Sequence, residues 1–220
     1  MTHPGLFAAM SEPEFYPHRP ERVEVVQTHI SFIFIVGEVV YKLKKAVDFG
    51  FLDFTTLEKR KFFCEEEVRL NRRLAPEAYL GVDRITEESA GTLALNGNGP
   101  VVEYTVRMKK LPQDRMLKRI LAEGKCDSTV IDAVAAKLAD FHSRAETGGR
   151  IDALGGPETI RFNHEENFTQ TAPYVGITIP RNRYAFIRAF DRNFLNRQQP
   201  LLQKRVTEHR IRDCHGDLHL

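Results

Sequence analysis

The run Cys214-His215-Gly216-Asp217-Leu218-His219-Leu220 places a carboxylate, two imidazoles and a glycine within five positions. An aspartate held on a loop by a neighbouring histidine can accept or orient a hydroxyl proton. That is the help an alcohol needs as it attacks a phosphoryl group in line, so Asp217 is the candidate base. His215 is read as orienting the loop through hydrogen bonds, not as the base itself. The apolar–polar alternation of Val206–Cys214 predicts a short strand leading into this loop.

A second set of charged residues lies far upstream. Val23–Thr28, Ser31–Val36 and Val39–Lys44 are β-branched and aromatic runs separated by short turns at Thr28-His29-Ile30 and Gly37-Glu38, which predicts a three-stranded antiparallel meander. The two-residue period puts Tyr41 and Leu43 on one face of the third strand and Lys42 and Lys44 on the other. Thr55-Thr56-Leu57-Glu58 reads as a capping box opening a helix to about Leu74, ahead of Pro76. Along that helix Cys64, Glu67, Val68, Asn71 and Leu74 recur at three- and four-residue steps, so Glu67 lies on the inward face. A carboxylate there needs a partner, and Lys42 or Lys44 is the candidate.

The elements that must position these groups divide by texture. Residues 1–22 form an extension with a short helix near Leu6–Met10. Asp48–Phe54 reads as a turn and an apolar plug under the helix. Strands follow near Leu80–Ile85 and Val101–Met108, with a Gly-rich hairpin at Gly91–Gly99 between them. Beyond, Asp114–Glu123 and Ser128–Ala145 read as helices, the second with Val130, Ile131, Val134, Leu138 and Phe141 as its apolar stripe. Residues 147–160 read as loop, and Tyr184–Leu202 as a third amphipathic helix. Asn163–Asn167 reads as a solvated helix start or the lining of an acceptor pocket. Arg181, Arg183, Arg188 and Arg192 read as spread around a wet face. The expectation is an α+β protein of two lobes: a strand-rich 1–108 with one helix, then a helical 109–220.

Lysine on a third strand, glutamate on the next helix, a strand ending in a linker, then helices and H-G-D form one ordered set. In that order they resemble the protein-kinase-like fold of the aminoglycoside phosphotransferase family, whose catalytic loop reads H-G-D-x-H-x-x-N. The chain matches that loop at His215, Gly216, Asp217 and His219. Thr28–Ser31, Val40–Lys45 and Asp48–Phe54 resemble the uncharacterised bacterial branch commonly fused to a P-loop ATP-binding half. Leu138–His142 resembles the family's helix ahead of the catalytic loop. The resemblance implies an antiparallel-sheet N-lobe and an incomplete helical C-lobe. It implies ATP-dependent transfer of a phosphoryl group to the hydroxyl of a small molecule, or a catalytically dead nucleotide-binding module within a larger ATP-binding protein. Lys42 would contact the nucleotide phosphates and Glu67 would hold it, with Lys44 as the alternative lysine. The Thr28–Ser31 turn would cover the phosphates through backbone N–H groups and the Ser31 hydroxyl. Met108–Leu111 would be the linker meeting adenine. The Mg2+ ligands of the family fall after Leu220, which implies a fragment or split product with little or no phosphotransfer. A P-loop half would then come from the same gene or a neighbour, because no Gly-x-x-x-x-Gly-Lys stands in this chain.

Bulk properties exclude other classes. A net charge of +2 from 32 basic and 30 acidic residues offers no field for nucleic acid or an anionic membrane. Three widely spaced cysteines, Cys64, Cys126 and Cys214, form no CxxC pair and point to a reducing cytoplasm. Residues 1–10 lack a basic leader, and no apolar run approaches the roughly 18 residues of a membrane span.

Overall fold

The computed structural model describes residues 3–218 and is an α+β protein. Its chain separates into two compact units, Met1–Cys126 and Asp127–Leu220, so residues 109–126 belong with the first.

The first unit is built on one antiparallel sheet. Its strands are β1 (Val23–Gln27), β2 (Ser31–Val36), β3 (Val39–Lys44), β4 (Tyr79–Glu87), β5 (Leu93–Leu95) and β6 (Val101–Lys109). Their order across the sheet is β1-β2-β3-β6-β4-β5. The meander forms as expected, with Val36 paired to Val39 across the Gly37-Glu38 turn. That tight connection requires the left-handed backbone that Gly37 adopts at φ 61°. β5 is a short edge strand inside the segment expected to be only a hairpin loop. It pairs Ile85 with Leu95, and Asn96 at its end exchanges hydrogen bonds with the Arg84 backbone.

Each face of the sheet buries a different cluster. On one face Phe34, Val36, Tyr41, Leu43 and Ile85 pack with Leu6, Met10 and Tyr16 of the N-terminal segment. That segment opens with α1 (Leu6–Ser11), and the Tyr16 hydroxyl donates to the Met10 carbonyl at 2.6 Å. On the other face lies α2 (Leu57–Asn71), whose Cys64 and Val68 pack on Val106 with Tyr79, Val82, Tyr104 and Met108 around them. The N-cap of α2 is Thr56, one residue later than the capping box predicted, and its side chain accepts from the Lys59 N–H. Thr55 is drawn off instead by Asp53, which accepts from both its N–H and its hydroxyl.

The Asp48–Phe54 plug is only half realised. Phe54 is buried, but Phe49 stands 49% exposed and Phe51 90% exposed at the tip of the loop. Gly50 takes φ 79° there, and its N–H donates to Asp48, which turns the two rings outward. The helix expected at Asp114–Glu123 is shorter: a single 3-10 turn at Gln113–Arg115, extended backbone at Met116, then α3 (Leu117–Ala122).

The second unit is helical: α4 (Ser128–Arg144), α5 (Gly149–Leu154), α6 (Pro157–Thr171) and α7 (Arg181–Thr207). Asp127 caps α4 by accepting from the Val130 N–H. The stretch read as loop over 147–160 instead holds α5 and the start of α6. Pro157 sits in the first turn of α6, where a missing N–H costs nothing. The strand expected at Val206–Cys214 does not form. Val206 and Thr207 complete the last turn of α7, and residues 208–218 run as irregular backbone. Among the described residues no strand lies in this unit to pair with one. Phe141, Ala145 and Leu195 are its buried apolar residues among those described, while Ile131 and Val134 of the expected stripe are exposed.

Candidate functional site

Glu67 and the two strand lysines meet as one cluster. Its inward position on α2 and the alternation of β3 bring Lys42 Nζ to 2.8 Å from Glu67 Oε1 and Lys44 Nζ to 2.6 Å from Glu67 Oε2. Both candidate lysines are therefore bonded, one to each carboxylate oxygen. They differ in access: the Lys42 side chain is 26% exposed and that of Lys44 5%. The Lys44 ammonium also lies 4.9 Å from the centre of the Phe54 ring, a favourable cation–π arrangement. The two lysines hold the Glu67 carboxyl below the usual carboxylate range against the opposing pull of burial. Cys64 shares this face, and burial pushes its thiol up to about 12, so it stays protonated.

A buried ion pair that sequence reasoning missed fixes where α2 lies on the sheet. Arg60 Nε donates to both oxygens of Glu103, at 2.9 and 2.8 Å, with side chains 3% and 0% exposed. Its Nη1 donates to the Phe54 and Thr55 carbonyls at 3.0 and 3.2 Å, tying the helix start to the preceding loop. Glu103 also accepts the Tyr104 N–H at 3.0 Å. Seven residues separate Arg60 from Glu67, close to two turns, so the same helix face carries the anchor and the carboxylate.

The Thr28–Ser31 turn is tied up internally. Thr28 N–H donates to the Ser31 carbonyl at 2.9 Å, and Ser31 N–H donates to the Thr28 hydroxyl at 3.0 Å. Ser31 is wholly buried, opposite Lys44 in the strand register, and its hydroxyl has no hydrogen-bond partner in the protein. In this geometry neither the hydroxyl nor the Ser31 N–H faces solvent to receive a ligand. Met108 lies inside β6, between Val40 and Tyr79, and is a strand residue before the linker begins. After it, the Lys109 and Lys110 N–H groups donate to the Ala78 and Glu38 carbonyls.

In the second unit, Gly216 at φ 79° makes the turn that presents Asp217. A Cβ at Gly216 would meet nothing within 4 Å, so backbone conformation and not crowding calls for glycine. The Asp217 N–H donates to His215 Nδ1 at 3.3 Å, a hydrogen bond within the turn. The Asp217 carboxylate is exposed and can accept a proton from an approaching hydroxyl. His219 lies outside the described residues. The segment around Asn163–Asn167 is part of α6 and is paired with α7: His164 Nδ1 lies 2.6 Å from Asp191, and Glu165 accepts from Arg188 and Arg192. Arg188 and Arg192 thus share one face toward α6 instead of being spread around the helix, although the four arginines stay open to solvent as expected. Those two guanidiniums hold the Glu165 carboxyl down at about 2. Among the described residues no group of three or more His, Cys, Asp and Glu side chains is placed to hold a metal ion. None of their helices is long and apolar enough to cross a membrane.

No family model matches the chain, and no solved structure matches it. Over 196 residues it is 28% identical to uncharacterized protein Rv2004c of Mycobacterium tuberculosis (strain ATCC 25618 / H37Rv). It has the same identity over the same length to uncharacterized protein Mb2027c of Mycobacterium bovis. Each match covers 89% of this chain and 38% of the relative, so the chain spans well under half the length of the curated relatives it matches.

Proposed function

We propose that the chain carries the nucleotide-holding strand–helix pair and the catalytic loop of an aminoglycoside-phosphotransferase-like, kinase-like enzyme that moves a phosphoryl group from ATP to a small-molecule hydroxyl. The observation that carries this reading is the ion pair between Lys42 on β3 and Glu67 on the next helix, at 2.8 Å. A lysine that must meet phosphates needs its ammonium fixed in direction yet partly open to solvent, and Lys42 has both properties. The H-G-D turn supplies the second element: Asp217 takes the acceptor hydroxyl proton as the phosphoryl group transfers, and His215 steadies the backbone that carries it. Magnesium ions would neutralise charge on the transferring group, but no described residue fits them as a ligand set, and none is assigned to them. The second reading, a nucleotide-binding module without catalysis, draws on the greater length of the relatives.

Titration calorimetry with MgATP on this chain tests the nucleotide reading. Losing one charge-assisted contact predicts that Lys42→Met weakens ATP binding about tenfold or more. Asp217→Ala is expected to leave affinity within about twofold and to abolish transfer of labelled phosphate to water or alcohol acceptors wherever transfer is measurable. ATP binding that ignores Lys42→Met would refute the assignment. Binding without transfer in a chain extended to the relatives' length would favour the module.

A further inference from the structure

We infer that Lys44 is a positioning residue: its buried ammonium keeps Glu67 ionised when Lys42 turns from that carboxylate toward an anionic ligand. The inference rests on the proposed nucleotide reading for what the anion is. The division of contacts carries it, one lysine to each oxygen of Glu67. Lys42 is open enough to reorient, whereas Lys44, 5% exposed and packed on Phe54, is not. A single lysine serving both roles would have to leave Glu67, 13% exposed, uncompensated whenever it met a ligand. A carboxylate in that position either resists the departure or takes up a proton, and each outcome weakens binding near neutral pH. With Lys44 in place the carboxylate keeps a cation, and Lys42 is released without that cost.

Among the described residues, the charged neighbours that act on Glu67 include no other cation to do this. Facing it are Lys42 and Lys44 from β3, Cys64 on its own helix and Tyr79 from β4. The thiol and the phenol are both shifted upward by burial and stay neutral around pH 7. Asn71 donates its side-chain amide to the Glu67 backbone carbonyl and leaves the carboxylate alone.

Two measurements on the full chain decide it. Lys42→Met imitates the departed lysine, and the half-open position should tolerate it. Carbon-13 NMR, with the Glu67 carboxyl assigned by comparison with Glu67→Gln, should show Glu67 still titrating at or below the usual carboxylate range. A midpoint above that range overturns the inference. The second measurement is MgATP calorimetry in two buffers of different ionisation heat between about pH 6 and 8. The wild type and Lys44→Arg should bind with no net proton uptake. Lys44→Met should take up about one proton per ATP and bind more tightly as pH falls. Lys44→Met binding like wild type, without proton uptake, overturns the inference while leaving the nucleotide reading intact. If the wild type binds no ATP while Glu67 stays ionised in Lys42→Met, the nucleotide reading fails and the role of Lys44 stands. Should Lys44→Met fail to fold, the Lys42→Met titration decides alone.

Discussion

Replacing Arg60 by methionine should be among the most damaging single changes in the first unit, and the structure allows its size to be worked out. Methionine fills most of the space of the arginine stem, so little cavity forms and the loss is electrostatic. Glu103 is 0% exposed and, among the described residues, would keep the Tyr104 N–H as its donor, while the Phe54 and Thr55 carbonyls lose theirs. Breaking a buried pair by removing one partner costs about 3–5 kcal/mol, because the remaining charge is stranded. Taking about 4 kcal/mol, the folded-to-unfolded ratio falls roughly a thousandfold, a large part of a typical total of about 5–15 kcal/mol. Urea unfolding should follow two probes of this unit, far-ultraviolet circular dichroism and the accessibility of the Cys64 thiol. Because the strain lies in an unpaired carboxylate, Arg60→Met with Glu103→Leu should recover most of the loss. A cost below about 1 kcal/mol for Arg60→Met, or a double variant no more stable than the single one, would refute the claim that this pair anchors α2.

Three further outcomes follow from the same geometry. Removing residues 3–20 strips Leu6, Met10 and Tyr16, each at most 1% exposed, from the sheet. At roughly 1.5–3 kcal/mol per buried side chain, the shortened chain should lose most of its stability and bind a hydrophobic dye, which fluorescence reads directly. Glu67→Gln leaves Lys44 without its anion and should cost about 3 kcal/mol near neutral pH. The folded Glu67 carboxyl is held below its ordinary value of 4.5, so its contribution is present above that value and lost as pH falls through the lower, folded one. The difference in melting temperature between wild type and Glu67→Gln should therefore shrink steadily below about pH 4.5; a constant difference across that range would contradict the pairing. Finally, a thiol reagent should label the half-buried Cys126 and Cys214 in the folded protein and reach Cys64 only on unfolding, since that thiol is buried and protonated. Rapid native labelling of all three would rule out the packing of α2 described above.

What could be read in the sequence, and what could not, depends on the range over which each interaction acts. The meander, the shared face of Lys42 and Lys44, and the inward position of Glu67 all follow from periods of 2 and 3.6 within single elements. Those periods suffice to pair a strand lysine with the helix carboxylate, but not to choose between two lysines on the same face. The structure shows that no choice is needed, since each takes one oxygen. Arg60 and Glu103, 43 residues apart, carry no periodic signal, and Arg60 stands between Lys59 and Lys61 in a charged run near the helix start. The N-cap moved by one residue because Asp53 competes for Thr55, a contact that a four-residue motif does not contain. Alternation misled at Val206–Cys214, where a period of two over a few residues has no strand to pair with among the described residues of its unit and the preceding helix simply continues through Thr207. Punctuation misled at 147–160, where glycines flank the short helix α5 and Pro157 opens the fifteen-residue α6 instead of marking a loop. Lys42, Lys44 and Glu67 were legible because each is fixed by its own element, β3 or α2. Their supports were hidden because each joins two elements that only the folded sheet and helix bring together.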